Sequence, residues 1–162
     1  MLMRIICLAI LSIILLSSSS SADDKTETFL ARGFSISYPD NWIPLAKGRR
    51  DLLSVGSPDT LKSLLVTGFR LPGDGGDEMK LQFRNSFLTS MIVKGWHVTE
   101  ETKETISGIN YKVTKAQIGP DNAVFLETTH GNEFYLIRET FSGGFPRLDP
   151  QLQEIIESFK FL

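Results

Sequence analysis

Phe34, Ile36 and Tyr38 alternate with Gly33, Ser35 and Ser37, the two-residue period of a strand with one buried face. Pro39-Asp40-Asn41 then ends the strand ahead of Trp42, an aromatic anchor for the turn. A short partner strand is predicted at residues 28–31, across Arg32-Gly33, and another short strand at 52–55. A longer one is predicted at 64–71, with Leu65, Val66 and Phe69 available to a core before Pro72 and a glycine-rich loop interrupt it. From Asp77 the period changes to that of a helix. Met79, Phe83, Phe87 and Met91 recur every four residues, Leu88 and Ile92 widen the apolar face, and Gly95 supplies a stop. Asp77 and Glu78 place negative charge where a helix N-terminus favours it, so a helix is predicted over residues 77–94.

After Gly95 the chain reads as a meander, with strands predicted at residues 96–100, 111–118, 123–130 and 133–141. The turns Ser107-Gly108-Ile109-Asn110, Gly119-Pro120-Asp121-Asn122 and Gly131-Asn132 supply residues that tolerate positive φ or preset a bend. Connections this short require antiparallel pairing. Asp149 is placed as an N-cap and Pro150 at the first helical position, and Leu152, Ile155, Ile156 and Phe159 share one face of a closing helix. Strands with two helices segregated from them predict an α+β domain, an antiparallel sheet flanked by helices.

The first residues bear on compartment. Arg4 precedes an apolar run over residues 5–16, five serines follow, and Ser20 and Ala22 are small. This predicts a signal peptide over residues 1–22, cut between Ala22 and Asp23. A run of 12 falls short of the ~20 apolar residues a spanning helix needs, so no stable membrane anchor is expected after cleavage. Cys7, the one cysteine, lies inside the apolar run rather than after it, which is not the position of a lipid-modified cysteine. An exported chain, periplasmic or extracellular, would then hold no disulfide, thiolate metal site or cysteine nucleophile. Residues 23–162 form a single expected domain, without a linker, repeat or second apolar span. The chain has 17 basic and 19 acidic residues, and nothing in this balance suggests a polyanion partner, since nucleic-acid binders usually show a basic stripe or a high pI. All 11 phenylalanines follow the signal, ample for a packed core.

Gly33-Phe-Ser-Ile-Ser-Tyr-Pro-Asp-Asn-Trp42, the turn Ser107-Gly108-Ile109-Asn110 and the closing Ile155-Ile156-Glu157-Ser158-Phe159-Lys160-Phe161 together resemble the PsbP-like superfamily. That group includes photosystem II PsbP, Ran-binding Mog proteins and DcrB-like exported proteins. The resemblance runs from about Phe29 to Leu162 and implies an α/β/α sandwich around an antiparallel sheet. It also implies a binding or assembly factor for a larger complex. The matching residues, Phe34, Tyr38, Pro39, Trp42, Gly108 and Phe159, are of kinds that build a core or a turn, so no binding residue is carried across.

Chemistry-bearing motifs are sparse. There is no Gly-x-Ser-x-Gly elbow, His-Glu-x-x-His helix, phosphate-binding loop or EF-hand loop. In Leu71-Pro-Gly-Asp-Gly-Gly-Asp77 a nucleotide loop would need a glycine where Glu78 stands, and Asp74, Asp77 and Glu78 repel phosphate. The same carboxylates could hold a hard cation, but calcium takes six to eight oxygens, and helix-start electrostatics accounts for them more simply. His97 and His130, 33 residues apart, could meet Asp121 at a metal, without diagnostic spacing. Ser107, Thr129 or Ser142 could approach a histidine, but no third residue is evident to orient a base. Lys47, Arg49 and Arg50 form a basic run that is either a solvated loop or a contact for an anionic surface. Phe141 and Phe145 flank a glycine hinge; exposed, they make the preferred partner contact, and buried, they cap the core. The expectation is an exported non-enzymatic binding or assembly protein of the cell envelope, with a protein partner, no nucleic acid, no cofactor and no metal. The alternatives are an envelope small-ligand or cation-binding protein or an enzyme whose site converges only in three dimensions, and, below these, a photosystem II extrinsic factor.

Overall fold

A computed structural model describes residues 23–73, 76–143 and 149–162. The chain opens with β1 (Asp24–Phe29), a 3-10 turn (Leu30–Arg32) and β2 (Phe34–Pro39). Next come β3 (Ile43–Pro44), β4 (Asp51–Gly56), β5 (Lys62–Arg70) and α1 (Gly76–Val93). The meander follows as β6 (His97–Ile106), β7 (Ile109–Ile118), β8 (Asp121–His130) and β9 (Glu133–Ser142), then α2 (Pro150–Ser158) and β10 (Lys160–Phe161).

Seven strands pair in the order β3-β4-β5-β9-β8-β7-β6, and β1-β2-β10 form a separate small sheet. The assigned ladders are antiparallel. The opening strand therefore lies outside the main sheet, where its alternation has a different use. Phe34, Ile36 and Tyr38 join Tyr135, Ile137 and Phe141 of β9 and Leu152, Ile155, Ile156 and Phe159 in one core. The opposite face of β9 presents Phe134 and Leu136 to Phe69, Phe125 and Met91 in a second core, against which Met79, Phe83 and Phe87 of α1 pack. The main sheet is thus covered by the small sheet and α2 on one side and by α1 on the other. That arrangement is the α+β sandwich expected from the sequence.

Local chemistry explains the boundaries. Asp149 accepts a hydrogen bond from the Gln151 N–H at 3.0 Å, and Pro150 stands in the first turn of α2, as predicted. Ser107 and Gly108 both have positive φ, 49° and 81°, which closes β6 and β7 with a two-residue hairpin. β6 runs on to Ile106 instead of ending at 100, because polar residues at a solvent-facing edge carry no apolar alternation to read. β1 replaces the partner strand expected at 28–31 for the same reason, pairing Asp24 with Pro39 and Phe29 with Phe34. Ile92 does not widen the buried face of α1: it is 65 % exposed, with Val93 also outside the core.

Phe34 is fully buried and packs on Phe29, Phe159 and Tyr135 at 4.6, 5.1 and 5.4 Å between ring centroids. Phe34→Ala is expected to lower stability by about 3–5 kcal/mol. Urea denaturation checks this as a fall in midpoint at an unchanged m-value.

Candidate functional site

β7 pairs with β8 only from Lys112 opposite Glu127 to Ile118 opposite Asp121. Beyond that point β7 continues to Ile109 against β6, and β8 continues to His130 against β9. Each strand follows the partner to which its own hairpin ties it, so the two part. One bridge remains, the Thr128 hydroxyl donating to the Asn110 carbonyl at 3.0 Å. The gap is an open cleft of about 510 Å³, lined by Asn110 and Lys112 of β7, Thr129 and His130 of β8, Phe134 of β9 and Lys80 of α1, with Phe161 at its margin. The small sheet supplies that margin: Phe161 stacks on the His130 ring at 4.2 Å and 11° between planes.

The charges around the cleft are ordered by α1. Arg84, 12 % exposed, bridges Glu127 at 3.2 Å and Glu101 at 2.6 Å. Burial raises the Glu127 carboxyl above its usual range, against the opposing pull of Arg84 and Lys112, while Glu101 adds to the rise. Lys103 lies directly opposite Lys112 across the β6–β7 ladder. A second concavity of about 340 Å³ adjoins the first and shares Asn110 and Lys112 with it. The Lys80 ammonium reaches one carboxylate, that of Asp77 on its own helix, at 2.5 Å. Lys80 and Lys112 thus line the cleft and Lys103 the concavity beside it, while Arg84 is committed to two carboxylates. Such a surface attracts anions; within it Glu127 is held by Arg84 and the His130 ring is stacked on Phe161.

The sequence candidates fall elsewhere or apart. His97 pairs with Gln117 and Asp121 lies beside Ile118, at the end of β7 remote from His130, so the two-histidine site is not assembled. Among the described residues no three His, Cys, Asp or Glu side chains gather to hold a metal. Thr129 and His130 share the cleft, whereas Ser142 bonds to Asp121 at the other end of β8. Of the acidic loop, Asp77 pairs with Lys80 and Glu78 accepts from Gln82, while Asp74 lies outside the described residues. The basic run folds onto its own strands: Lys47 donates to the Leu52 carbonyl and Arg50 sits over the Phe69 ring at 5.6 Å. Phe141 is 8 % exposed and belongs to the core, so it is not the surface contact considered for it; Phe145 lies outside the described residues. Residues 1–22, with the predicted cleavage residue Ala22, also lie outside them, and Asp23 is exposed where the description begins. Lys80, Lys103, Lys112 and Asn110 were missed, although the hairpin turn alone sets the Lys103–Lys112 pairing.

One further carboxyl is buried away from the cleft. Glu139 shares the face of Ile137 and Phe141, and neither of its oxygens has a hydrogen-bond partner among the described residues. Burial, with a contribution from Asp149, holds this carboxyl well above its usual range. The folded state therefore keeps the Glu139 proton better than the unfolded state, and this contribution to stability is full at acid pH and lost as pH rises. Glu139→Gln is expected to gain on the wild type between pH 5 and pH 8, measured by urea denaturation at both; an equal difference at the two would contradict it. Arg84→Ala leaves Glu127 without its ion-pair partner and is expected to cost about 3 kcal/mol in the same assay at pH 7.

No family model and no curated protein matches the chain. Solved structures do match. A crystal structure from Bacteroides thetaiotaomicron is 16 % identical with a TM-score of 0.60, over 85 % of this chain and 48 % of that one. The chain thus spans about half the length of that protein. The solution structure of cyanobacterial PsbP (CyanoP) from Synechocystis sp. PCC 6803 is 17 % identical with a TM-score of 0.62, over 90 % of this chain and 96 % of that one. At such identities the likeness is one of fold, and the layers, sheet order and closing helix described above place this chain in the PsbP-like fold.

Proposed function

We propose that this chain is an exported, non-enzymatic binding or assembly protein of the cell envelope, and that its partner docks in the cleft between β7 and β8. The observation that carries the proposal is the presence of Lys80 and Lys112 in an open cleft and of Lys103 in the concavity that adjoins it, while the part-buried carboxylate of the cleft, Glu127, is paired with Arg84. That is a surface attractive to anions. Export rests on Arg4, the apolar run over residues 5–16 and the small residues before Asp23. Consistent with this, no described helix is long and apolar enough to cross a membrane. A second function, small-ligand binding, is favoured by the cleft volume of about 510 Å³, which lies within the range of small-molecule sites.

The two are separated by a photo-crosslinker placed at exposed Asn110 and, as a control, at Arg49 in the basic loop. Irradiation of the native envelope is expected to recover a specific polypeptide from the Asn110 position and not from Arg49. Recovery of no protein, together with saturable binding of a small molecule, would overturn the proposal in favour of the second function.

A further inference from the structure

Lys103 and Lys112 carry the inference, because they face each other across an antiparallel ladder where a like-charge pair is destabilising. Glu127 stands opposite Lys112 on the other side of β7, and it and Glu101 are shared with Arg84, which both of them bind. Lys80 adds a third ammonium from α1, paired among the described residues with an Asp77 carboxylate that is itself almost wholly in solvent. The chain as a whole is net negative, with 19 acidic and 17 basic residues, so this cluster is a local inversion of sign. An anionic occupant beside this pair would relieve its repulsion.

Resting on the binding role proposed above, we infer that the cleft takes an acidic segment of a protein partner, with its carboxylates on Lys80, Lys103 and Lys112 and an apolar side chain against Phe161. Three features select a polypeptide. The cleft is open and continues into the concavity beside Lys103, which suits an extended chain better than a compact anion. The planar arginine fork that grips phosphate is withheld, since Arg84 spends it on two carboxylates, leaving flexible ammonium groups that accept carboxylates from several directions. Exposed Asn110, whose Oδ1 accepts from the Thr105 hydroxyl, keeps an amide NH2 to donate to a peptide backbone, and Phe161 offers an aromatic surface beside the charges.

The test is fluorescence anisotropy of a labelled synthetic peptide of glutamates with one central phenylalanine, titrated with the purified protein at low and high salt. Each of Lys80→Gln, Lys103→Gln and Lys112→Gln is expected to weaken binding about three- to fivefold, and the triple variant to abolish it. The Lys→Arg versions are expected to retain binding, as is Arg49→Gln. A rise from about 0.02 to 0.2 M salt is expected to weaken wild-type binding several-fold, through screening. Lys103→Gln supplies a readout independent of any ligand: relief of the opposed charges raises Tm by about 1–3 °C. Peptide binding that survives the triple variant, or a fall in Tm for Lys103→Gln, would overturn the inference. So would saturation of the lysines by inorganic phosphate alone, with no peptide binding. If the Asn110 crosslinker captures a protein partner whose recovery ignores the lysines, the acidic-segment inference falls while the binding role stands. If the lysines bind the peptide but no envelope protein is captured, the binding role falls instead.

Discussion

The ring of Phe34 is the constraint on which the rest of the molecule depends. It comes from β2, yet its neighbours come from the strand before it, from β9 in the middle of the main sheet and from the end of α2. Three segments far apart in sequence must therefore be in place before any of them is shielded from water. Aromatic rings of this size dominate core energetics, and their edge-to-face and offset packing adds to the burial itself. The Tyr135 hydroxyl donating to the Arg32 carbonyl, and Glu133 bonding both Arg32 and Arg70, fix the small sheet against β9 at the same corner. Closure of the chain into two sheets follows from that corner, because β2 cannot bury Phe34 while lying flat in the main sheet.

The cleft is a by-product of the same architecture. β8 and β9 are buried on both faces and must stay paired along their length, while β6 and β7 sit at a solvent-facing edge and are held by one tight turn. Twisted strands that obey different partners diverge where neither loses much by doing so. Lys112 and Glu127 mark the last point at which both demands agree. Arg84 then uses α1 to brace the divergence, drawing Glu101 of β6 and Glu127 of β8 toward one guanidinium across β7. Helix and sheet are joined by charge at Arg84, whereas its neighbours on α1, Phe83 and Phe87, join them through the apolar core.

Much of this was legible locally. The alternation of Phe34, Ile36 and Tyr38, the Asp149-Pro150 helix start and the turn residues of the meander each state their own conformation, because a short stretch of chain decides it. The pairing of Lys103 with Lys112 was equally available, since residues equidistant from Ser107-Gly108 must face each other in a two-residue hairpin. Three things were not. β1 and the later half of β6 are polar edge segments that satisfy their backbones without burying a face, so no apolar period announces them. Ile92 follows the stripe of α1 yet lies past the sheet it would cover, which is a fact of placement. The approach of Lys80 to the cleft depends on how α1 crosses the sheet, a non-local quantity.

β10 pairs with β2 through two residues only, Lys160 with Ser35 and Phe161 with Phe34, and Leu162 adds one backbone bond to Gly33. The aromatic margin of the cleft thus hangs on the smallest ladder of its sheet, while its opposite wall belongs to the ten-residue strands of the meander. Short ladders open at a lower free-energy cost than the global fold. The charged half of the cleft stands on long ladders and the aromatic half on a two-residue ladder together with the packing of Phe161 on Tyr135 and Phe159, so long-range attraction and close fitting rest on different kinds of support.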